Sequence, residues 1–537
     1  MLQYKIKKHA NIGAADAEAD KKFLKDCFFD NGDLNLLLDI ENPKSLIIGR
    51  TGSGKSALIE QVVDSAEHSI SLDLESLSLA YVSNSDVLTF FEGIGVNLDI
   101  FYSLLWRHIF TVELLKLKFK IHKESYHSRN WLQNLFISKE KQAAIDYLET
   151  WGNKFWEDTE YRVKEFVTTL EDSLKEGVGA SISGFTLSSE TAQKLNEQTK
   201  VEVIHKAQKV VNDVQMKELS KVIDLLAEDI FNDTHHPYYI TIDKLDENWI
   251  GDPIKYNLIR SLLETVKTFR RVPGVKIIVA MRLDLLERVF ARTRRSGHQE
   301  EKYEQYYLHL RWTEKQLKTL VDTRIKAMFR EQYTTKSVGL DDIFSNKAGG
   351  EPVFSYMCKR TFMRPRDIIL FINNCLSLVE NKTTVPVATV KEAEAEYSKK
   401  RLRSLADEWN ADYPYLHEAS FIFRGRKSSF KFSELTNEEF ESFIVDTCSE
   451  QKVGTYLYKL ASDYTEGKRN KNSILISLMM MFYRIGLIGI KPDSFNEVQW
   501  SINEKASISE GQVKSGALIC IHPMFWRALG IQSHRNG

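Results

Sequence analysis

SLIIGRTGSGKSALI, residues 45–59, decides how the rest of the chain is read. Leu46, Ile47 and Ile48 form an apolar run of the kind a buried strand shows. The run stops at Gly49, a Gly-rich turn follows through Arg50, Thr51, Gly52, Ser53 and Gly54, and helical periodicity begins after Lys55, Ser56 and Ala57. This is G-x-x-x-x-G-K-[ST] in its strand–loop–helix setting, the P-loop pattern. Glycines at 49, 52 and 54 allow backbone conformations in which successive N–H groups point at a phosphate. The new helix adds free N–H groups and the positive end of its dipole. Lys55 is expected to reach the β- and γ-phosphates, and the Ser56 hydroxyl to sit on Mg²⁺. The spacing predicts a nucleoside triphosphate site.

The remainder of the chain bounds the setting. Its 537 residues suggest roughly three or four domains. Hydrophobic content of 43% and charged content of 27% are ordinary for a globular protein with sizeable cores. A net charge of −1 supplies no global field for nucleic acid or an anionic membrane, so such a site would be a local patch. Five scattered cysteines, without a C-x-x-C pair, argue against a disulfide framework or zinc site and for a reducing cytoplasm. MLQYKIKKHA lacks the apolar core of a signal peptide, and the longest apolar run, 474–490, is interrupted by Ser477, Arg484 and two glycines. No membrane association is expected.

Around the P-loop the pattern predicts an α/β core with a parallel sheet. SISLD (69–73) reads as a second strand. Residues 85–235 are overwhelmingly helical in periodicity, with Leu105, Ile109, Val112 and Leu115 at three- and four-residue steps, and read as a helical insertion. Within it, 176–190 is a small hairpin or a loop, and Trp106, Trp131, Trp151 and Trp156 are read chiefly as core. The sheet resumes at PYYITID (237–243), whose strand-end Asp243 is placed to hold Mg²⁺ through water. Asp246 and Glu247 lie just beyond, where a carboxylate can orient or deprotonate a water. A helix over 253–270 leads to GVKIIVAMR (274–282), which ends in Arg282, close to the expected γ-phosphate position. Arg288, Arg292, Arg294 and Arg295 follow, either as a solvated helix end or as an arginine finger. YYLHL (306–310) is the last strand, and Arg364 and Arg366 open a helix that would leave a guanidinium free to face phosphates. NSILISLMMMFYRIGLIGIKP, VQWSINE and GALICIHPMFW read as a helix and a β-hairpin, the outline of a winged helix. Such a module can bind nucleic acid, but its apolar helix favours a packing role. The expected divisions are 1–84 and 236–312 for the core, 85–235 for the insertion, 313–398 for a helical lid and 399–537 for the winged-helix-like domain.

Over residues 10–380 these segments resemble AAA+/STAND-type P-loop ATPases of the ASCE class. ITIDKLDE is similar to the extended Walker B motif of NACHT and KAP proteins, IIVAMRLD to their sensor 1, and MRPRDIILF to the sensor 2 helix of origin-recognition-like proteins. More narrowly, GAADAEAD (13–20), GRTGSGKSAL and DKLDE-x-W resemble the FunZ-like ATPases of bacterial and phage genomes. The resemblance implies Mg²⁺-dependent ATP hydrolysis, with Lys55 and Ser56 binding, Asp243 positioning metal, Glu247 or Asp246 activating water, and Arg282 with Arg364 or Arg366 sensing phosphate. It also implies self-association, a separately encoded effector and an anti-phage or mobile-element setting. ATP is expected over GTP because no N/T-K-x-D element follows the strands. Most AAA+ chains place the catalytic Glu directly after the Walker B Asp, and here Lys244 stands there. Slow turnover, or a nucleotide-switched scaffold, is the alternative reading; a small-molecule kinase is a weaker third.

Overall fold

The computed structural model describes residues 4–75, 98–120, 226–247, 252–293, 300–330, 337–344, 347–450, 453–503, 508–514 and 516–532, with single or paired positions between 76 and 225. The reading of 176–190, most of the helical periodicity from 121 to 222, and Trp131, Trp151 and Trp156 fall outside the described residues. The chain divides into two units, Asp30–Leu310 and Met1–Phe29 with Arg311–Gly537.

The Asp30–Leu310 unit is built on five parallel strands: β1 (Leu46–Gly49), β2 (His68–Leu72), β3 (Tyr238–Ile242), β4 (Val275–Arg282) and β5 (Tyr307–His309). Their order across the sheet is β2-β3-β4-β1-β5. All five occur within the expected segments; the central strands β1, β3 and β4 are near-continuously hydrophobic because they are covered on both faces, whereas the edge strand β2 is only partly buried. β1 and β3 are buried throughout. The helices Asp99–Phe119 and Asp252–Phe269 pack on each other, and the Trp106 indole N–H donates to Leu258 O at 2.9 Å. Leu105, Ile109, Val112 and Leu115 are buried as their spacing predicts.

The other unit has one continuous apolar core, running from Ile6 and Ile12 through Leu317 to Leu529. The helix Val387–Glu408 runs straight through the expected 398/399 boundary, and Tyr397 on it stacks on Phe371 at 4.6 Å. Lid and C-terminal segment therefore share a core. A short hairpin, β6 (Lys347–Ala348) with β7 (Glu351–Pro352), lies near its start. Farther on, β8 (Ser429–Lys431), β9 (Ile488–Lys491) and β10 (Leu518–Ile521) form an antiparallel sheet in the order β8-β10-β9. Helices Asn437–Glu450, Tyr456–Thr465 and Lys471–Ile485 stand between β8 and β9. The helix runs into a strand as expected, but the expected hairpin does not form. The partner of β10 is β9, not VQWSINE, which contributes a single bridge between Gln499 and Ile490 and then a 3₁₀ turn. Burial decides this: β9 lies inside the core, whereas Gln499 and Trp500 are only partly covered.

GAADAEAD belongs to this unit, although its residues lie within the expected 1–84 division of the core. Asp20 pairs with Arg324 at 2.6 Å, both buried, and its other oxygen accepts the Ala14 N–H at 2.7 Å. Gly13 is required there. Its φ is +105°, and a Cβ would come within 2.3 Å of Asp20 Oδ1 and 2.5 Å of the Arg324 guanidinium.

Candidate nucleotide site

The P-loop leaves β1 at Gly49 and turns into the helix Lys55–Ser65. Gly52 (φ +77°) and Gly54 (φ +101°) take the left-handed backbone that a side chain would strain. Gly49 has a different reason: a Cβ would lie 2.5 Å from Ser53 Oγ. Gly54 is the helix N-cap, and no side chain caps the helix, so its first N–H groups remain available to an anion. Lys55 Nζ donates to the carbonyls of Gly49 and Arg50, both at 3.1 Å. Its amine thus folds back over the loop that it is expected to serve.

Register places the other parts at the same edge of the sheet. Gly49 stands opposite Arg282 on β4, while Ile242 is in line with Val279. Asp243, at the end of β3, is thus one strand away from the P-loop strand. It still acts on Lys55. Burial pushes the Lys55 ammonium down to about 8 against the pull of Asp243 and then Asp246, while Arg282 adds to the depression. Two acids from the β3 loop and one cation from β4 thus act on the P-loop lysine.

The β3 loop is tightly held. Lys244 adopts φ +61°, a costly conformation for a residue with a side chain, and its N–H donates to Asp243 Oδ1 at 2.8 Å. Asp246 and Glu247 are exposed. Their backbone carbonyls accept from the Lys255 ammonium at 3.1 and 2.8 Å, fixing the loop whatever their side chains do. The Glu247 carboxylate lies 3.9 Å from Lys244 Nζ. Asp246 faces Arg282 Nη1 at 3.4 Å.

Sequence reasoning missed Asp284. It grips Arg282 through two bonds, Nε at 2.9 Å and Nη2 at 3.0 Å, and also takes Arg288 at 2.6 Å. Burial alone would raise its pKa, but the Arg282 and Arg288 guanidinium groups outweigh burial and hold its carboxyl below the usual range. A carboxylate two residues beyond a strand-end arginine is the signal that could have found it. The arrangement also corrects the reading of the later arginines. Arg288 is committed to Asp284, and Arg292 lies 4.6 Å over the Tyr256 ring; Arg294 and Arg295 fall outside the described residues.

Arg364 and Arg366 are the second correction. Both belong to the other unit, and neither guanidinium is free. Buried Arg364 donates to Asp367 at 3.1 Å, and Arg366 donates to Ala15 O at 3.3 Å and bonds Asp16. Their spacing at a helix start reflects an internal charge network.

Among the described residues no group of three or more His, Cys, Asp or Glu side chains could hold a metal ion. The fit to Mg²⁺ rests instead on the Ser56 hydroxyl position beside a triphosphate cradle and on Asp243, whose charge already reaches Lys55. No described helix is long and apolar enough to cross a membrane.

Comparison with known proteins adds one segment. Residues 315–406 match the FunZ-associated C-terminal helical domain. That stretch contains Arg324 and Arg366, the partners of Asp20 and Asp16 in GAADAEAD. No curated protein matches the chain. Solved structures similar to it include the Walker-type ATPase PABY2304 of Pyrococcus abyssi, with TM-score 0.35 and 13% identity over 88% of this chain and 93% of that one. Another is the ORC2 protein of Aeropyrum pernix in its ADPNP–ADP complexes, with TM-score 0.32 and 11% identity over 93% and 90%. At those scores the two likenesses carry no weight. The sheet order, the glycine-shaped loop and the 315–406 match make this a P-loop chain that resembles the FunZ-like proteins.

Proposed function

We propose that the Asp30–Leu310 unit binds Mg²⁺-ATP and hydrolyses it at the β–γ bond. The observation that carries this is the Lys55 ammonium, raised from an uncapped helix start and held in the field of Asp243 and Asp246 from across β4. The loop N–H groups and Lys55 would hold the phosphates, and Ser56 with Asp243 would hold the metal, which would neutralise charge on the departing phosphate. Glu247 is the first choice to orient water and Asp246 the second. Glu247→Gln should bind ATP normally but lose turnover by about 10²–10⁴-fold, the usual worth of a general base. Phosphate release should be measured for Glu247→Gln and Asp246→Asn side by side. Unchanged rates in both would move the role elsewhere.

The depressed Lys55 pKa predicts a pH signature. Polyphosphate favours the ammonium form, so above about 8 the nucleotide-free chain must take up a proton to bind. ADP affinity should then fall as pH rises, approaching about tenfold per unit. Calorimetry at about pH 7 and 9 tests it; equal affinities would contradict it.

A specific observation favours a slower, switch-like use of ATP. Lys244 occupies the position after Asp243, it draws on Glu247, and Arg282 holds Asp246. Both candidate bases, Glu247 and Asp246, thus face a cation. Nucleotide state would then set the conformation or self-association of the chain and its action on a separately encoded effector. The resemblance to FunZ-like proteins suggests an anti-phage or mobile-element setting within the bacterial cytoplasm. Mass measurements with ADP and with a nonhydrolysable ATP analogue test the switch; one mass in both states would argue against it.

A further inference from the structure

Away from the P-loop, a cleft of about 340 Å³ opens in the other unit between the segment 7–11, the helix Lys21–Cys27 and the end of the helix Glu314–Phe329. Its charge is one-sided. Lys7, Lys8, Lys22 and Arg330 line it against one acid, Asp26. All four cations are exposed, and Lys7, Lys8 and Arg330 have no carboxylate within ion-pair distance among the described residues. A plain structural account is available for part of this. The last carbonyls of a helix carry partial negative charge and attract cations, worth about half a charge in all. Arg330 at the end of Glu314–Phe329 suits that account. Lys7 and Lys8 come from another segment and exceed it.

The lysines are placed by fixed backbone. Ile6 and Ile12, both buried, anchor the segment on either side. Ile6 N–H donates to Lys382 O at 2.9 Å and Ile6 O accepts from Asn381 N–H at 2.9 Å. Between the anchors the Ala10 N–H closes a turn onto Lys7 O at 3.1 Å, with His9 at φ +61°. A pair of unneutralised ammonium groups on an anchored turn is a site for a multivalent anion. The cleft is also not purely polar: half-buried Phe23 and Met328 supply a nonpolar wall beside the cations. Phosphate oxygens beside a flat ring match both surfaces. The volume lies at the small end of ligand pockets, enough for one nucleotide unit and far too narrow for a duplex.

We propose that this cleft binds a phosphorylated nucleoside, taken either free or as one unit of a single strand. It is independent of the P-loop, and its test removes that site first. In a full-length Lys55→Ala chain, AMP is titrated by calorimetry and a fluorescein-labelled oligothymidylate by anisotropy. At least one should bind, and Lys7→Glu with Lys8→Glu should weaken it about tenfold or more, with Arg330→Glu acting in the same direction. These exposed positions should leave the melting temperature unchanged. AMP binding alone identifies a free nucleotide as the source. Oligothymidylate binding, with log affinity falling by about 0.7 per phosphate contacted against log salt, identifies a strand. If neither probe binds, or the Lys7/Lys8 reversal binds as its parent does, the proposal is overturned.

Discussion

Lys55→Ala is expected to weaken ATP and ADP binding by at least about a hundredfold and to abolish hydrolysis. A lysine bridging two phosphates makes two charge-assisted bonds, each worth about 1.5–3 kcal/mol. Their sum corresponds to a factor of about a hundred or more. The local field adds to the loss. Asp243 and Asp246 already act on the Lys55 site, and without its ammonium their charge would oppose an entering polyphosphate more strongly. The same amine bonds the carbonyls of Gly49 and Arg50, so its removal also frees the loop. Calorimetry against ADP, with melting curves as a control for folding, gives the answer. An affinity within about threefold of the parent would mean that the phosphates lie elsewhere.

The second large effect concerns the other unit. Asp367 has no exposed surface, pairs with Arg364 at 3.1 Å and Arg401 at 3.2 Å, and accepts the Phe362 N–H at 3.1 Å. Burial alone would raise its pKa, yet the two guanidinium groups and the amide hold it below the usual range. The stabilisation is in place above the ordinary aspartate value of about 3.9 and is lost as pH falls through the lower folded value. Asp367→Asn keeps the shape but takes from two buried cations the carboxylate that they share. Breaking a buried pair in this way costs about 3–5 kcal/mol. With two units in the chain, one global unfolding energy is not well defined. Hydrogen exchange of the helix Pro365–Ser377 reports the local opening, and it should speed up about a hundredfold or more. Protection within twofold of the parent would show that this network contributes little.

Much of the sheet and the nucleotide loop was legible in the sequence, and for a physical reason. A parallel strand covered on both faces must be apolar throughout, and a P-loop must be glycine-shaped, so each carries its own local signature. Pairings between distant charges do not. Nothing near Arg366 announces Asp16, 350 residues away, as its partner, whereas Asp367 stands only three residues past Arg364, a local signal that was passed over. Asp284 was passed over because its importance comes from the Arg282 geometry rather than from its own neighbours. VQWSINE misled because its alternation resembles a strand, whereas the β9 position is decided by what the core can enclose.

The bond between Asp20 and Arg324 joins positions 304 residues apart, and this bears on how the protein is made. Synthesis at about 5–20 residues per second separates their emergence from the ribosome by roughly 15–60 s. During that interval the first thirty or so residues have no home, while the whole nucleotide-binding unit can complete its sheet. The segment around Asp20 is thus translated well before the helix that it pairs with. A nascent chain stalled before position 324 should leave residues 13–29 protease-sensitive.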